Sequence, residues 1–463
     1  MRQLVRLGWR LRELARHAEM NREEILELRE ERFRDLLHHA WDKTDFYPEY
    51  YREHDISRDD LATIPSEELP SITKGQYIEH FDDLTTDDRL TRDGVEEFLE
   101  TSNRDERFAG EYEVVHTSGT TGEPTHFVYS TDAWDTMLAG GARAVKGDQS
   151  LLELTEEWLS GYRIAYVAAT EGRFGGAMVV RGGTDAPHID SLFLDINRPM
   201  DEWEAEFRDF RPNVLVGYPS AIKLVCDIER EADLGLDIER IAVGGEPLSA
   251  ELREYIEDTF GTEVLNIYGA SESLIIGLER SGHDGMYLYD DLNYVEPADE
   301  VTYVTPLYNR TQPLIRYELD DKLEPAERGE DEPLPFTKVE SVVGRSEDLM
   351  WFETRASQRD AERASGEAAS HEEEFLHPLV IDDIDTEGLI RYQFRPTGEE
   401  SIEMRMELTD DADRERVEAD VSEQFDAILD EKGLRHIEYD LVEVEEIPVD
   451  PDTGKRKMVV TEE

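Results

Sequence analysis

Apolar residues recur at helical spacing through about the first 90 residues and at strand spacing further along the chain. Between residues 110 and 345, short apolar runs that end near small residues alternate with amphipathic segments. These runs are RIAYVAA, NVLVGY, RIAVGG and EVLNIYG. Such alternation is typical of a layered α/β domain, in which helices cover a largely parallel sheet. We therefore predict an α/β fold whose large N-terminal domain begins with a helical region.

Beyond this alternation, the pattern changes twice. From 285 to 320, the runs GMYLYDDLNYVE, EVTYVTPL and PLIRYEL predict antiparallel strands and hence a β-rich subdomain. Residues 354–374 are polar and small and predict a mobile loop or linker. After it, LIRYQFRP and SIEMRMEL predict strands, followed by a long helix near 411–432 and a last strand in HIEYDLVEV. These elements form a small C-terminal α+β domain.

Three segments of the chain follow from these patterns, and no internal repeat interrupts them. The prediction is an N-terminal domain at 1–345 with its helical region at 1–90, a hinge and polar linker at 346–374, and a C-terminal domain at 375–463. A chain of 463 residues is long enough for two or three domains with a substantial core.

The composition is strongly acidic, with 111 Asp and Glu against 49 Lys and Arg and a formal net charge of −62. The excess runs along the whole chain, and only nine residues are lysine. We interpret this as a halophilic surface, because salt near 1 M shortens the Debye length to about 3 Å and screens the self-repulsion. Disorder is the alternative for such a composition, but folded-type apolar runs recur throughout. The charge also argues against nucleic-acid binding, which needs basic patches.

The cysteine count and the hydropathy of the chain exclude further classes of protein. One cysteine, Cys226, excludes an internal disulfide framework and a multi-cysteine metal site, and its apolar helical context predicts a buried, inert thiol. No apolar segment approaches the roughly 20 residues of a membrane helix. The basic, amphipathic N-terminus MRQLVRLGWRLRELARH predicts a helix docked on the body, with a weak membrane-surface contact as the alternative. We expect a cytoplasmic protein.

The segment HTSGTTGEPTHFVYS, residues 116–130, has the chemistry of an anion-binding loop. Glycines allow backbone N–H groups to converge on phosphate oxygens, and hydroxyl groups add further donors. A Walker loop is excluded, because Glu123 and Pro124 stand where that motif needs lysine. An ordinary turn is the alternative. The loop residues are Thr117, Ser118, Gly119, Thr120, Thr121 and Gly122.

Further segments follow this loop in a characteristic order. They are VGGEPLS at 243–249, NIYGASES at 266–273, PLIRYELDD at 313–321, GRSEDL at 344–349 and DPDTGKRK at 450–457. With these five motifs the chain resembles the adenylate-forming ligase superfamily over nearly its full length. The subgroup it resembles is that of phenylacetate-CoA ligase-like and capsule-biosynthesis-type members, which LLHHAWDKTDFYPEYY and LPSITKGQYIEHFDDL near the N-terminus also resemble.

The resemblance implies a role for each motif in binding Mg·ATP. The hydroxyl-rich loop would hold the β- and γ-phosphates, Tyr268 would stack on the adenine, and Glu272 would help to hold Mg²⁺, which prefers carboxylate oxygens. Asp321 would bind the ribose hydroxyls, and Arg345 would reach towards the ribose or phosphate. The remaining nucleotide contacts implied are Gly245, Glu246, Pro247 and Gly269. Taken singly, Glu272 could be a solvated carboxylate, Tyr268 a core aromatic and Asp321 a turn residue.

The positive charge absent from the loop has a candidate in GKRK near the C-terminus. Lys455 matches the family's catalytic lysine, and a fixed cation there would stabilise the charge that builds up as pyrophosphate leaves. Lys457 is the rival assignment, and a solvent-facing basic turn is the alternative to both. In the family the C-terminal domain rotates about a hinge between two half-reactions. The hinge residue would be Glu347 or Asp348.

The acyl substrate is predicted from two segments that resemble the walls of the family's carboxylate pocket. Tyr218 and Phe174 favour an aromatic or other flat apolar acid, and Gly175 and Gly176 would leave room for it. Equally, the glycines would permit close packing of strand against helix. The stretch SGHDG lacks the thiolate that some relatives use, so Ser281 and His283 are not expected to bind zinc.

These inferences predict an AMP-forming ligase that joins a carboxylic acid to a thiol such as CoA. Its catalytic residues would be Lys455 and Glu272, its cofactors ATP and Mg²⁺, and CoA its co-substrate. The polar segment 354–374 replaces the glycine-containing loop that helps to form the CoA tunnel in the family, which leaves the acceptor open. The alternatives are an adenylate-forming enzyme with a non-CoA acceptor, such as a deazaflavin cofactor or a polysaccharide precursor, and a catalytically silent nucleotide-binding relative.

Overall fold

The computed structural model describes most of the chain. The described residues are 2–103, 106–117, 125–146, 161–170, 172–184, 187–196, 198–246, 248–280, 285–298, 301–319, 321–326, 328–329, 332–343, 350–353, 373–376, 384, 386, 388–398, 400–409, 412–444, 447 and 458–460.

The fold is α/β, with a large layered N-terminal domain and a small C-terminal α+β domain. The described α-helices are α1 Arg2–His17, α2 Arg22–Lys43, α3 Phe46–Glu53, α4 Lys74–Glu79, α5 Arg92–Thr101, α6 Thr131–Lys146, α7 Gly175–Thr184, α8 Met200–Phe210, α9 Pro219–Ala232, α10 Ala250–Phe260 and α11 Arg414–Glu431. The described strands are β1 Tyr112–His116, β2 His126–Ser130, β3 Tyr162–Ala168, β4 Ile189–Asp195, β5 Val214–Gly217, β6 Arg240–Gly244, β7 Val264–Ala270, β8 Ser273–Arg280, β9 Met286–Leu288, β10 Asn293–Pro297, β11 Thr302–Pro306, β12 Tyr317–Leu319, β13 Lys322–Pro325, β14 Thr337–Val343, β15 Met350–Glu353, β16 Glu373–Leu376, β17 Leu389–Gly398, β18 Ser401–Leu408 and β19 Glu438–Val444.

A nine-stranded sheet, in the order β13-β14-β9-β8-β7-β6-β5-β3-β4, forms the centre of the large domain. Strands β3 to β7 form the parallel half of this sheet. The antiparallel half begins where β7 pairs with β8. Successive side chains of β3 face opposite layers, so that Ala165 and Val167 pack with α9 while Tyr166 and Ala168 pack with α7. Helices on both faces explain why the parallel strands are nearly continuous apolar runs.

The four predicted parallel runs form β3, β5, β6 and β7, as expected. The strands predicted between 285 and 320 are also present, although PLIRYEL contributes only Tyr317–Leu319. Four strands of the central sheet, β4, β8, β13 and β14, are not among the runs that the apolar pattern predicts. Strand β8 follows β7 through a turn at Ser271 and Glu272, where the sequence analysis expects only the end of a strand.

Helix α1 is docked on the body, as its amphipathic pattern predicts. Arg6 and Arg10 form ion pairs of 2.6 Å with Asp135 and Asp132 of α6. Leu14 is buried in the main core. These contacts place α1 beside α6, which covers one face of the central sheet.

A buried charge cluster anchors this helical layer to the sheet. Both terminal guanidinium nitrogens of Arg143 donate to the Asp291 carboxylate, at 2.7 and 3.0 Å, and His17 Nδ1 lies 2.9 Å from Asp291 Oδ2. Burial alone raises the pKa of a carboxyl group, but the Arg143 charge and the hydrogen bond from His17 outweigh it and lower the Asp291 pKa to about 2. Such a paired, fully hydrogen-bonded carboxylate is the form in which a charge is tolerated inside a protein.

The C-terminal domain pairs β17 antiparallel with β18 and β18 parallel with β19, with α11 as the crossover. Its strands and helix agree with the predicted ones. Strand β15 lies in the segment predicted as hinge and linker, 346–374, and pairs with β16, which crosses the predicted start of the C-terminal domain. Met350, Phe352 and Leu376 belong to the C-terminal core. We therefore propose that this domain begins before Met350 rather than at residue 375.

Candidate active site

A cavity of about 1860 Å³ runs along the central parallel strands, from the amino to the carboxyl ends of β6 and β7. Its part at the carboxyl ends lies where an open α/β sheet is expected to bind its ligands. The predicted site residues that line it are Thr117, Phe174, Gly175, Gly176, Tyr218, Gly245, Glu246, Tyr268, Gly269, Glu272 and Asp321. The structure thus brings together residues from every predicted motif that it describes.

The base of the hydroxyl-rich loop is closed by two hydrogen bonds. The Thr117 N–H donates to the Thr125 carbonyl at 2.9 Å, and the Thr125 N–H donates to Thr117 Oγ1 at 3.2 Å. Strands β1 and β2 continue this pairing from His116 and His126 onwards. The loop therefore starts and ends on a hairpin at the cavity wall. The other predicted loop residues, Ser118, Gly119, Thr120, Thr121 and Gly122, lie outside the described residues.

His116, which the sequence analysis does not single out, connects this hairpin to the wall that carries Phe174. Its Nε2 accepts a 2.8 Å hydrogen bond from the Arg173 N–H, so its Nδ1 carries the proton and faces the Thr117 carbonyl at 3.2 Å. Burial lowers the His116 pKa and favours this neutral form. The ring also packs against Phe174 at 4.7 Å. Its position directly before the loop is the only trace of this role in the sequence.

Tyr268 and Asp321 are joined across the cavity by a 2.9 Å hydrogen bond from the phenol oxygen to Oδ2. Tyr268 lies in β7, and Asp321 lies directly before β13 at the other end of the antiparallel half of the sheet. Burial, followed by the charge of Asp321, raises the pKa of Tyr268. The tyrosine therefore remains a donor, and it orients the Asp321 carboxylate.

Glu272 lies in the turn between β7 and β8, in the cavity wall. Burial and the nearby charge of Asp321 raise its pKa to about 7, whereas Lys74 and a hydrogen bond from Tyr317 act in the opposite direction. Because burial disfavours the charged form of this carboxylate, a cation beside it would stabilise that form strongly.

The donor set around Glu272 fits a magnesium ion that arrives with a nucleotide. The described residues contain no group of three or more His, Cys, Asp and Glu that could hold a metal. Mg²⁺ is commonly bound by one or two carboxylates together with substrate phosphates, rather than by an all-protein cage. One carboxylate in a cavity large enough for a nucleotide is sufficient for that arrangement.

Gly245 and Glu246 shape the turn that follows β6. Gly245 has φ of +87°, and a Cβ there would lie 2.8 Å from the Tyr218 ring, so that only glycine lets this ring cover the turn. The Glu246 carboxylate accepts hydrogen bonds from the Ser220 N–H at 3.1 Å and from the Ser220 hydroxyl at 3.0 Å. It therefore accepts hydrogen bonds from two donors at the start of α9 and also lines the cavity.

Gly175 and Gly176 line the cavity and also lie close to neighbouring side chains. A Cβ at Gly175 would lie 2.6 Å from Leu274 Cδ2, and one at Gly176 would lie 2.7 Å from the Tyr166 hydroxyl. These distances support the interpretation that the glycines permit α7 to pack closely on β3 and β8, and their place in the substrate pocket stays a prediction. Phe174 and Tyr218 still face the cavity.

Several predicted residues lie outside the described residues, and their roles remain predictions. They are Pro247, Ser281, His283, Arg345, Glu347, Asp348, Lys455 and Lys457. The description resumes at Met458, whose carbonyl accepts a 2.7 Å hydrogen bond from Phe394 of β17.

Two predictions about the chain in general are confirmed. Cys226 is buried in α9, and burial raises the pKa of its thiol to about 12, so that it stays protonated near neutral pH. None of the helices in the described part of the chain is both long and apolar enough to cross a bilayer.

Known proteins share this combination of motifs. The profile of the family described as AMP-binding enzyme matches residues 27–294. The chain is 27% identical to phenylacetate-coenzyme A ligase of Pseudomonas putida over 260 residues, which cover 50% of this chain and 54% of that protein. It is 21% identical to protein CapK of Staphylococcus aureus over 367 residues, which cover 73% of this chain and 71% of that protein. The chain thus spans about half the length of the first of these relatives.

A solved structure shares the architecture of both domains. It is that of 2-hydroxyisobutyryl-CoA ligase in complex with 2-HIB-AMP and CoA in the thioesterification state, with a TM-score of 0.59 and 17% identity. The match covers 96% of this chain and 92% of that one, which at this identity shows the fold alone. Since the family profile matches more than half of the chain, this protein belongs to the AMP-binding enzyme family of adenylate-forming enzymes and is phenylacetate-CoA ligase-like within it.

Proposed function

We propose that this protein is an ATP-dependent, AMP-forming ligase that adenylates a carboxylic acid and transfers the acyl group to a thiol such as CoA. The observation that carries the proposal is the convergence of Tyr268, Asp321 and Glu272 with the base of the hydroxyl-rich loop on one cavity. The loop base, the pair of Tyr268 and Glu272, and Asp321 are far apart in sequence, and they match three different nucleotide-binding motifs of the family. The ligase relatives support the same activity.

In the first half-reaction, a carboxylate oxygen of the acid attacks the α-phosphorus of ATP. A new P–O bond forms, and the bond from the α-phosphorus to the oxygen bridging to the β-phosphate breaks. Pyrophosphate leaves with the electron pair, so that the step requires no proton transfer. Lys455, carried by the C-terminal domain, would stabilise the negative charge that develops on the phosphate oxygens.

The residues of the large domain hold the nucleotide for this step. Asp321, oriented by Tyr268, would accept hydrogen bonds from the ribose hydroxyls, and Thr117 with the rest of the loop would bind the β- and γ-phosphates. Glu272 would ligate Mg²⁺, which when bound neutralises phosphate charge. Arg345 would contact the ribose or phosphate. Positioning and electrostatics of this kind are the main sources of catalysis in phosphoryl transfer.

In the second half-reaction, a thiolate sulfur attacks the acyl carbon of the acyl-adenylate. The C–S bond forms, the C–O bond to the phosphate breaks, and AMP leaves, while the thiol proton passes to solvent. Rotation of the C-terminal domain about Glu347 or Asp348 would remove Lys455 and admit the thiol between the two steps. We place the enzyme in the cytoplasm, where both ATP and CoA are available.

We propose an aromatic or similarly flat apolar acid as the acyl substrate. Phe174 and Tyr218 line the cavity, and the half-buried His116 ring packs on Phe174, which gives this wall an aromatic surface. Aromatic rings prefer such offset or edge contacts. The phenylacetate-coenzyme A ligases among the relatives are consistent with such a substrate.

A second candidate is an adenylate-forming enzyme whose acceptor is not CoA. The match to protein CapK extends over 73% of this chain, whereas the match to phenylacetate-coenzyme A ligase extends over 50%. Only the acceptor differs between the two candidates.

A pyrophosphate-exchange screen tests the proposal. Each acid in a panel of aryl and alkyl carboxylic acids is incubated with the enzyme, Mg·ATP and labelled pyrophosphate in molar KCl. We expect acid-dependent exchange with at least one aryl acid, and CoA-dependent AMP release with the same acid. Exchange without CoA-dependent release would favour the second candidate. No exchange with any acid, in an enzyme that binds ATP, would contradict both and favour a silent relative.

A further inference from the structure

A turn of only two residues, Ser271 and Glu272, joins β7 to β8. The peptide group between these two residues controls the direction of the Glu272 carboxylate, because its N–H donates a hydrogen bond to that same carboxylate. A rotation of this peptide group would therefore turn the carboxylate as well. What holds the peptide group thus decides where Glu272 points.

A buried tyrosine holds the other end of this peptide group. The Tyr129 hydroxyl donates to the Ser271 carbonyl at 2.6 Å. Burial, followed by the neighbouring Tyr308 and the charge of Glu272, raises the pKa of Tyr129, so that its phenol stays protonated and remains a donor. The peptide group is therefore bound at both ends, by Tyr129 at its carbonyl and by the Glu272 carboxylate at its N–H.

Tyr129 is itself firmly fixed in β2. The N–H of the preceding Val128 donates to Gln312 Oε1 at 3.1 Å, and the Val128 carbonyl accepts from Asn309 Nδ2 at 3.0 Å. The Tyr129 ring lies nearly parallel to the Tyr308 ring, with 6.5 Å between their centroids. The hydroxyl that binds the turn therefore projects from a support with little conformational freedom.

The same contacts attach the turn to the hairpin that carries the hydroxyl-rich loop. Strand β1 leads into this loop, and β2, which contains Tyr129, leads out of it. The Ser271 hydroxyl also donates to the carbonyl of His116, the last residue of β1, at 3.5 Å. In the proposed function, the loop binds the β- and γ-phosphates, and Glu272 binds the metal that bridges them. The structure thus links the two parts of the site that must bind this metal and these phosphates together.

We propose that Tyr129 is a positioning residue for Glu272, because it holds the peptide group that directs the carboxylate and fixes the turn to the loop hairpin. The inference rests on the proposed function and adds a residue to it. Tyr129 is not among the residues that line the cavity, so it would act through Glu272 and not by contact with the nucleotide. Partners that orient a metal ligand in this way strengthen metal binding without touching the ion.

The alternative is that the Tyr129 hydroxyl serves only to pair a buried carbonyl group. The two explanations differ in what the loss of the hydroxyl would change. A purely structural role would lower the stability of the site and weaken nucleotide binding equally with and without metal. A positioning role would leave metal-free binding as it is and would reduce only the affinity that the metal adds.

Calorimetry of ATP binding in Mg²⁺ and in EDTA, with the wild type and Tyr129→Phe, tests this inference. Phenylalanine keeps the ring and removes the hydroxyl. We expect the affinity in EDTA to stay within about twofold of the wild type, while the gain in affinity from Mg²⁺ falls by about 3- to 10-fold, as for the loss of one net hydrogen bond. The matched control is Tyr255→Phe, which removes a hydroxyl that donates to Asp227 between two outer helices and should change neither affinity.

Two further variants approach the same peptide group from other sides. In a Glu272→Gln background, Tyr129→Phe should lower the gain from Mg²⁺ by less than about twofold, because the two residues act through one carboxylate. Ser271→Gly gives the peptide group more freedom and should also lower the gain from Mg²⁺. It replaces Tyr129→Phe if thermal unfolding shows that this variant does not fold.

The outcomes separate this inference from the proposed function, because no turnover is needed. An unchanged gain from Mg²⁺ in Tyr129→Phe would overturn the inference, and so would equal losses in Mg²⁺ and in EDTA. Full additivity with Glu272→Gln would overturn it as well. In each of these cases the wild type still binds ATP more tightly with Mg²⁺, and the proposed function stands. A wild type whose affinity for ATP does not rise with Mg²⁺ would instead contradict the role that the proposed function assigns to Glu272, and the inference would fail with it.

Discussion

The hydroxyl group of Tyr268 lies 2.9 Å from Oδ2 of Asp321 and joins the last parallel strand of the sheet to the segment that begins β13. The bond fixes the rotamer of the carboxylate that we assign to the ribose. It also explains how two residues 53 positions apart act as one unit. In such an arrangement Tyr268 would affect nucleotide binding by orienting the Asp321 carboxylate, in addition to any contact with the base.

Replacing Tyr268 by Phe keeps the ring and removes this hydrogen bond. We expect the KM for ATP to rise by about 3- to 10-fold with a smaller change in kcat, because a net hydrogen bond contributes on the order of 1 kcal/mol. Steady-state exchange kinetics measure it. The substitution Tyr268→Phe in an Asp321→Asn background should add little. Fully additive effects in the double variant would show that the two residues act independently.

Replacing Glu272 by Gln removes a metal ligand and retains the shape of the side chain. We expect half-maximal exchange to require at least about tenfold more Mg²⁺, since a neutral amide oxygen is a weaker ligand for this hard cation. A Mg²⁺ titration at fixed ATP measures the shift. Glu324→Gln, at an exposed position of β13, is the matched control. An unchanged magnesium requirement in Glu272→Gln would argue against the assigned role.

The Asp291 cluster predicts a specific loss of stability in acid. The folded-state pKa of Asp291, about 2, lies below the ordinary value near 4, so that its stabilising contribution is complete above pH 4 and is lost as the pH falls towards 2. The contribution is on the order of 2–3 kcal/mol. We expect the difference in free energy of unfolding between the wild type and Asp291→Asn to shrink from pH 5 to pH 2.5 in urea titrations. A difference that stays constant over this range would assign the stabilisation to packing instead.

The net charge of −62 predicts that stability depends on salt. Screening of repulsion among acidic side chains should raise the midpoint of thermal unfolding between 0.1 and 3 M KCl, with most of the change below about 1 M, where the Debye length falls most. Calorimetry in KCl measures the effect, and sorbitol of equal osmolality is the control. A midpoint that rises equally in sorbitol, or not at all in KCl, would contradict the halophilic interpretation.

The large features of the fold were predictable because they follow from local periodicity. The runs that became β3, β5, β6 and β7 are long, apolar and bounded by small residues, as strands buried on two faces must be. By contrast, SLIIGLER of β8 follows a turn only two residues long, and IDSLFLD of β4 lies at the sheet edge with a weak alternation. Neither pattern differs from that of a buried helical segment of the same length.

The site residues that lie in a recognisable motif were predictable from the sequence. Residues whose role depends on tertiary contacts were not. Tyr268, Glu272 and Asp321 lie in motifs of characteristic order, and the cavity brings them together. His116 gains its position from the backbone of Arg173, which no local pattern encodes. Likewise, no local pattern shows that the Tyr166 hydroxyl lies beside Gly176.

Carboxylate-dependent exchange of pyrophosphate into ATP, compared between the wild type and Lys455→Ala, tests the central claim most directly. If a cation on the C-terminal domain completes the adenylation site, the exchange rate should fall by at least about 100-fold while the affinity for ATP stays nearly unchanged. Lys457→Ala should retain most of the rate. Undiminished exchange in Lys455→Ala, in a protein that is folded and binds ATP, would contradict the account.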